Sequence, residues 1–267
     1  MKVVILCGGQ GTRLRELTDV IPKPMVEVGG RPMLWQIMKT YSHYGYSDFI
    51  LCLGQKGNVI RDYFLQYDLL HSDFTVELGE GKVVPHTCNH DEQGWRVCLA
   101  ETGAETMTGG RVQRIQKYID DDVFMLTYGD GVADIDIDAL LDFHNRHGRI
   151  ATVTGVRPVA RFGELQVDGD LARSFEEKPQ ISEGWINGGF FVFNRRVFDY
   201  RNGDDCILER QALARLASDG ELAVYRHEGY WRCMDTLRDV EFLNAEWASG
   251  NPPWAVWQEP RPDRAAA

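Results

Sequence analysis

Apolar residues fall in short blocks that glycines and prolines close. Val3 to Cys7 is an unbroken apolar run ending in Gly8 and Gly9, the pattern of a strand buried on both faces that feeds a loop. From Met33 to Tyr41 the period changes, with Leu34, Ile37, Met38 and Tyr41 at helical spacing. Phe49 to Leu53 reads as a second buried strand and residues 57–67 as a second helix. Such a β-α-β-α opening predicts a parallel sheet with right-handed crossovers.

The middle of the chain changes character. DFTVELGEGKVV reads as a hairpin about Gly79–Gly81, and WRVCLAET as a further strand. GGRVQRIQKYI opens a helix with Val112, Ile115 and Ile119 on one face. VFMLTYGDG is another buried strand ending in turn residues, DIDALLDFHNRHG a helix with an acidic start and a glycine stop, and IATVTGV a strand. Beyond Phe162, GELQVDGDLARSFEEKP turns at Gly169, WINGGFFVFN is a strand, ILERQALARLASDG a helix, ELAVYRHEGYWRCMD two short strands, and TLRDVEFLNAEWASG a closing helix. The expected form is one α/β domain over residues 1–250, a doubly wound and mainly parallel sheet of Rossmann-like kind. A small β-rich insertion is expected at 72–105, and a mobile C-terminal tail at 251–267.

Composition narrows the class. The 267 residues are 43% hydrophobic and carry a formal net charge of −11. That balance argues against a nucleic-acid backbone as partner, because neutralising phosphates needs a basic surface. It leaves room for a nucleotide, since a small local site with a metal overrides a distant negative field. No stretch approaches the apolar length of a membrane span, and the first apolar run is too short for a signal peptide, so the expectation is a cytoplasmic protein without a membrane partner. The six cysteines show no C-x-x-C pair, which favours buried free thiols over disulfides or zinc. His86, Cys88 and His90 alternate and on a strand share a face, but no fourth zinc ligand is evident, so an ordinary strand face is expected.

The glycine turn after the first strand is where chemistry enters. Glycines there let backbone N–H groups approach a phosphate with no Cβ in the way. Leu14 follows Gly9-Gln10-Gly11-Thr12-Arg13, so the Rossmann fingerprint lacks its third glycine, and there is no G-K-[ST] of a Walker loop. Pro22 and Pro24 stiffen the chain on each side of Lys23, a frame that suits a lysine aimed at a phosphate. Asp130 lies in a glycine turn at the carboxyl end of a buried strand, where ligands bind in open α/β sheets. Asp235 follows another short strand and, taken alone, reads first as a helix N-cap.

G-G-x-G-T-R-L followed by P-K-P-M resembles the sugar-1-phosphate nucleotidylyltransferase family. YGDGVAD, MTGGR, FEEKP, INGGFFV and MDTLRD fall in the order seen in its glucose-1-phosphate cytidylyltransferase branch, and the similarity runs to about Trp257. Gly129-Asp130-Gly131 stands where thymidylyl relatives usually read L-G-D-N, which favours the cytidylyl branch. The resemblance implies transfer of CMP from CTP to glucose 1-phosphate, with Mg²⁺ held by Asp130 and Asp235 and a homo-oligomeric assembly. It implies Arg13 and Lys23 as catalytic cations at the departing pyrophosphate and the α-phosphate. It implies a nucleotide site of Leu6, Gly8, Gly9, Gly11, Thr12, Thr106, Arg111 and Gly129, with Thr108 a further candidate. The sugar-phosphate site it implies is Gly163, Glu177, Lys178, Asn187, Gly188 and Trp231. A sugar phosphate is already mostly dianionic near neutral pH, so the reaction needs cations and positioning more than a general base. The chain departs from the family at 206–213, where a Trp-Glu pair and Glu-Pro are common and CILERQAL stands here, with Glu209 as the retained acid. Two rivals stay open: the same chemistry with UTP, dTTP or another phosphorylated acceptor, and a nucleotide-binding regulatory subunit without catalysis.

Overall fold

The computed structural model describes residues 1–9, 11–88, 90–157, 164–168, 171–176, 184–200 and 203–259. Seven strands form the central sheet: β1 (Lys2–Leu6), β2 (Asp48–Leu53), β3 (Arg96–Glu101), β4 (Val123–Tyr128), β5 (Ala151–Val156), β6 (Ile186–Asn194) and β7 (Leu222–His227). Their order is β7-β5-β6-β4-β1-β2-β3. β1 runs parallel to β2 and β4, β2 to β3, and β5 to β7, while β6 is antiparallel to both of its neighbours. The mainly parallel, doubly wound sheet is thus as expected.

Burial explains the unbroken apolar runs. Every residue of β5 is buried, as are all but the first of β1 and β2. Two apolar clusters sandwich the sheet. One gathers around helices α1 (Met33–His43) and α2 (Gly57–Leu65). The other lies beneath α3 (Thr108–Arg114) and Val197, Phe198, Leu208 and Leu216. Helix α4 (Ile137–His147) starts on an Asp136 cap that accepts from Ala139 N and ends on Gly148 in the left-handed region, matching the acidic start and glycine stop. A turn of π-helix, Leu208–Ala212, leads into α5 (Leu213–Ser218), and α6 (Leu237–Ala248) is the last α-helix among the described residues.

Two boundaries differ from expectation. Ser72–Glu77 and Lys82–Cys88 do form a separate hairpin. Arg96–Glu101, expected within the same insertion, is instead the edge strand of the central sheet, paired in parallel with β2. The tail is not loose where it begins. Trp254 is wholly buried and its Nε1 donates to Gln36 Oε1 at 3.3 Å, while Trp257 packs edge-on against Trp35. Two indole rings bury more apolar surface than the adjacent prolines could hold away from the core.

Among the described residues no helix is long and apolar enough to cross a membrane. Cys7, Cys52 and Cys206 are buried free thiols, and Cys98 and Cys233 are half-buried. His90 contacts Asp68 and Glu92 instead of sharing a ligand set with His86, whose Nε2 meets Thr75.

Candidate active site

The chain passes from β1 to β2 and β3 on one side and returns to β4 on the other, so the loops after β1 and β4 part at a topological switch point. Ligands of open α/β sheets bind at such crevices. Here a cavity of about 360 Å³ opens, lined by Leu6 to Gly9, Gly11, Lys23, Pro24, the strip from Ala104 to Thr108, Arg111, Tyr128, Gly129 and Asp130.

The glycine turn is shaped by an arginine from far along the chain. An added Cβ at Gly8 would overlap the Arg111 guanidinium. Arg111 is buried and spends its donors on Leu53 O (3.0 Å), Thr102 Oγ1 (2.8 Å), Gly103 O (2.8 Å), Gly8 O (2.9 Å) and Ala104 O (3.3 Å). None of these acceptors is charged. The guanidinium therefore braces the loops after β1 and β3 and the end of β2 from below, and leaves a positive charge under the cavity floor, a setting that favours an anionic ligand. Burial lowers its pKa from the ordinary arginine value. Gly11 sits at φ +61°, where a side chain is strained, and its carbonyl accepts from Leu14 N at 3.0 Å and Thr18 Oγ1 at 2.9 Å. At Gly9 an added Cβ would meet no protein atom within 4 Å, so packing does not demand that glycine.

Lys23 opens a short 3₁₀ turn, Lys23–Met25, after an extended Pro22. Its ammonium donates to Asp130 Oδ2 at 2.7 Å and Asp235 Oδ1 at 2.6 Å, and Arg13 Nη1 reaches Asp235 Oδ2 at 2.5 Å. A two-stranded ribbon brings the carboxylates together: Gly131–Ala133 pairs antiparallel with Trp231–Cys233, and Met234 N donates to Asp130 O at 2.8 Å. Asp235 is not the helix cap. Thr236 caps α6, in a capping box with Asp239, and the Asp239 carboxylate also accepts from Asp235 N. That frees the Asp235 side chain to face Lys23.

Lys23 and Asp235 hold their charges across the neutral range. Burial works against the Lys23 ammonium, but Asp130 and Asp235 outweigh it and raise its pKa. Burial likewise opposes the Asp235 carboxylate, and Lys23 and Arg13 outweigh it and lower its pKa. Burial, then Asp130, pushes the Cys233 thiol up. Asp130, Asp235 and Cys233 each offer a ligand atom, all within 4.8 Å of one another. Hard divalent cations take oxygen ligands, few of them from protein when phosphates are also bound. The two carboxylates fit such an ion, and the Lys23 ammonium already marks the point on which their oxygens converge.

On the far side of Tyr128, Asn187 Nδ2 donates to its hydroxyl at 3.1 Å, and Trp231 Nε1 donates to Gly188 O at 2.8 Å. Asn187, Gly188 and Trp231 therefore sit together next to the cavity. Thr106 lines the cavity and is buried. Thr12 lies in the Thr12–Leu14 turn by its backbone alone, and Gly163, Glu177 and Lys178 lie outside the described residues. The sequence reading missed Tyr128 as a site residue. Its position at the end of β4, directly before Gly129-Asp130, was the available signal.

The profile of the family described as nucleotidyl transferase matches residues 2–239. The chain is 49% identical over 259 residues to proteins named glucose-1-phosphate cytidylyltransferase from Salmonella typhi and Salmonella typhimurium, covering 97% of this chain and 100% of each relative. In three dimensions it is similar to HddC from Yersinia pseudotuberculosis, with a TM-score of 0.68 at 23% identity over 92% of this chain and 99% of that one.

Proposed function

The chain belongs to the nucleotidyl transferase family, and from that premise we propose that it transfers the CMP of CTP to glucose 1-phosphate, giving CDP-glucose and pyrophosphate. The observation that carries the reading is the meeting of Lys23, Arg13, Asp130 and Asp235 at the edge of the switch-point cavity. The 49% identity, over nearly the full length, to two proteins named glucose-1-phosphate cytidylyltransferase supports the choice of nucleotide and sugar.

The residues divide the work by charge and position. Gly9 leaves room for the triphosphate and base, and the backbone of Gly8, Gly11 and Gly129 borders it with Leu6, Thr106 and Thr108, above the braced Arg111. Asn187, Gly188 and Trp231 border the sugar phosphate, with Gly163, Glu177 and Lys178 proposed for the same subsite. The attacking phosphate oxygen is already anionic, so no residue needs to remove its proton. The difficulty is bringing two polyanions into line, and Lys23 and Arg13 answer it by offsetting charge on the α-phosphate and the departing pyrophosphate. Asp130 and Asp235 would hold Mg²⁺, which when bound neutralises phosphate charge.

The test is pyrophosphate release by the purified protein with Mg²⁺, across a panel of nucleoside triphosphates and sugar phosphates. CTP with glucose 1-phosphate is expected to give the highest kcat/KM. Release from another nucleotide but not from CTP would overturn the nucleotide choice, and no release from any pair would overturn the enzyme reading.

A further inference from the structure

We propose that Glu209 is a positioning residue for this transfer, a brace that sets the nucleotide wall and the sugar side of the site in one register. The inference rests on the reaction proposed above. Glu209 Oε2 accepts from Thr108 Oγ1 at 2.8 Å, and Thr108 lines the nucleotide cavity. Its other oxygen accepts from the Tyr128 hydroxyl at 2.5 Å, and that hydroxyl accepts from Asn187 Nδ2 at 3.1 Å. One carboxylate thus joins the start of α3, the end of β4 and the start of β6, which carry groups from both halves of the site.

Local structure aims the side chain there. Glu209 lies in the π-helical turn Leu208–Ala212, with Leu208 and Ala212 buried on either side of it. Single π turns inside helices recur at functional sites because the extra residue redirects a side chain. Docking of the segment does not depend on the carboxylate. Gly109 N and Gly110 N donate to Cys206 O at 2.8 and 3.2 Å, and Met107 N donates to Asp204 O at 3.0 Å. Arg114 makes two bonds to the Asp204 carboxylate at 2.9 and 2.6 Å, and Leu208 N donates to Thr108 Oγ1 at 2.9 Å. With the backbone already stitched to α3, the carboxylate is left to orient two hydroxyls that face the reactants.

Charge matters to that task. Tyr128 and Thr108 both donate to Glu209, because an ionised carboxylate only accepts. A carboxylate takes two donors, whereas an amide of the same shape offers one acceptor and one donor. Glu209→Gln therefore keeps the volume but removes the charge and reverses one arm of the brace, so that one hydroxyl must accept where it donated. A loss of register costs the chemical step more than the binding of either substrate.

The test uses the full chain with CTP and glucose 1-phosphate. Glu209→Gln and Tyr128→Phe are each expected to lower kcat by about tenfold or more, with each KM within about threefold. Their melting temperatures are expected to stay within a few degrees of the unsubstituted protein. The double variant is expected to be no slower than the slower single one, since both cut one linkage. Unchanged kcat, a lower melting temperature with kcat intact, a loss carried by a single KM, or multiplying effects in the double variant would each overturn the proposal. An unsubstituted protein that releases no pyrophosphate from this pair would overturn the functional reading and the brace with it, whereas an active protein with indifferent variants overturns the brace alone.

Discussion

Replacing Lys23 by methionine keeps most of the side chain and removes its charge, and it separates two things that ammonium does. Its Nζ lies 2.7 Å from Asp130 Oδ2 and 2.6 Å from Asp235 Oδ1, with the lysine side chain only 13% exposed. Opposite charges about 4 Å apart at an effective dielectric of about 20 attract by about 4 kcal/mol per pair. Desolvation of the three groups takes back several kcal/mol, leaving a net hold of roughly 1–3 kcal/mol. A divalent cation entering the protein without nucleotide must first release that hold. Lys23→Met therefore should bind Mn²⁺ roughly ten- to a hundredfold more tightly than the unsubstituted chain. Turnover should move the opposite way, falling by roughly a hundred- to a thousandfold, because the charge that meets the reacting phosphate is gone.

The measurement is a calorimetric Mn²⁺ titration at neutral pH without nucleotide, beside steady-state kinetics on the same preparations. Tighter metal with slower turnover is the expected pair. Unchanged or weaker Mn²⁺ binding would refute the claim that ammonium and metal compete for Asp130 and Asp235. Near-normal turnover would refute the role of Lys23 at the α-phosphate. The neutral range is the right place to look, since Lys23 has its pKa raised and Asp235 has its lowered, so neither changes charge there.

Asp130→Asn should shift the Mg²⁺ dependence of the rate to higher concentration, and an unchanged titration would place the metal elsewhere. Gly8→Ala drives a methyl into the buried Arg111 guanidinium. Losing even two bonds from a charged donor costs about 3 kcal/mol or more, readable as a lower urea midpoint, whereas Gly9→Ala should leave that midpoint in place and raise the KM for CTP. His144 is buried, and burial followed by His147 holds its pKa down to about 4. The unfolded chain then binds the extra proton below about 6.5, so this histidine makes the fold lose about 2 kcal/mol between pH 7.5 and pH 5. His144→Gln should show a correspondingly smaller loss in urea titrations at the two pH values, and equal losses in both proteins would refute the assignment.

The strands were legible because burial on both faces leaves a continuous apolar run, as in Val3–Leu6 and Phe49–Leu53. Helix ends were legible where a cap writes itself locally, as at Asp136 and Gly148. What the pattern could not carry were contacts made across the fold. Arg111 looked like a residue that reaches the nucleotide, and nothing near it in sequence says that Gly8, 103 positions earlier, takes one of its donors. Asp235 and Thr236 compete for one cap, and only the Asp239 carboxylate and the lysine opposite decide which residue gets it. Trp254 follows two prolines in a segment that reads as tail, and its burial depends on Gln36 and the core beneath it.

The net charge of −11 predicts the wrong sign for this site, and screening explains why that does no harm. At physiological ionic strength charges separated by more than about 8 Å hardly feel one another across solvent. Within that reach, Lys23 and Arg13 face Asp130 and Asp235, and the Arg111 guanidinium below the floor has no carboxylate among its hydrogen-bond partners. Three cations thus stand at the edge and floor of the cavity, two of them paired with Asp130 and Asp235. On the proposed reading each cation is kept in place before substrate arrives, by an ion pair or by carbonyls. A triphosphate then exchanges for partners that already hold these groups in position, so little reorganisation is left for the step in which negative charge builds at phosphorus. The acidic surface elsewhere works in the same direction as solubility requires, and the site needs nothing from it.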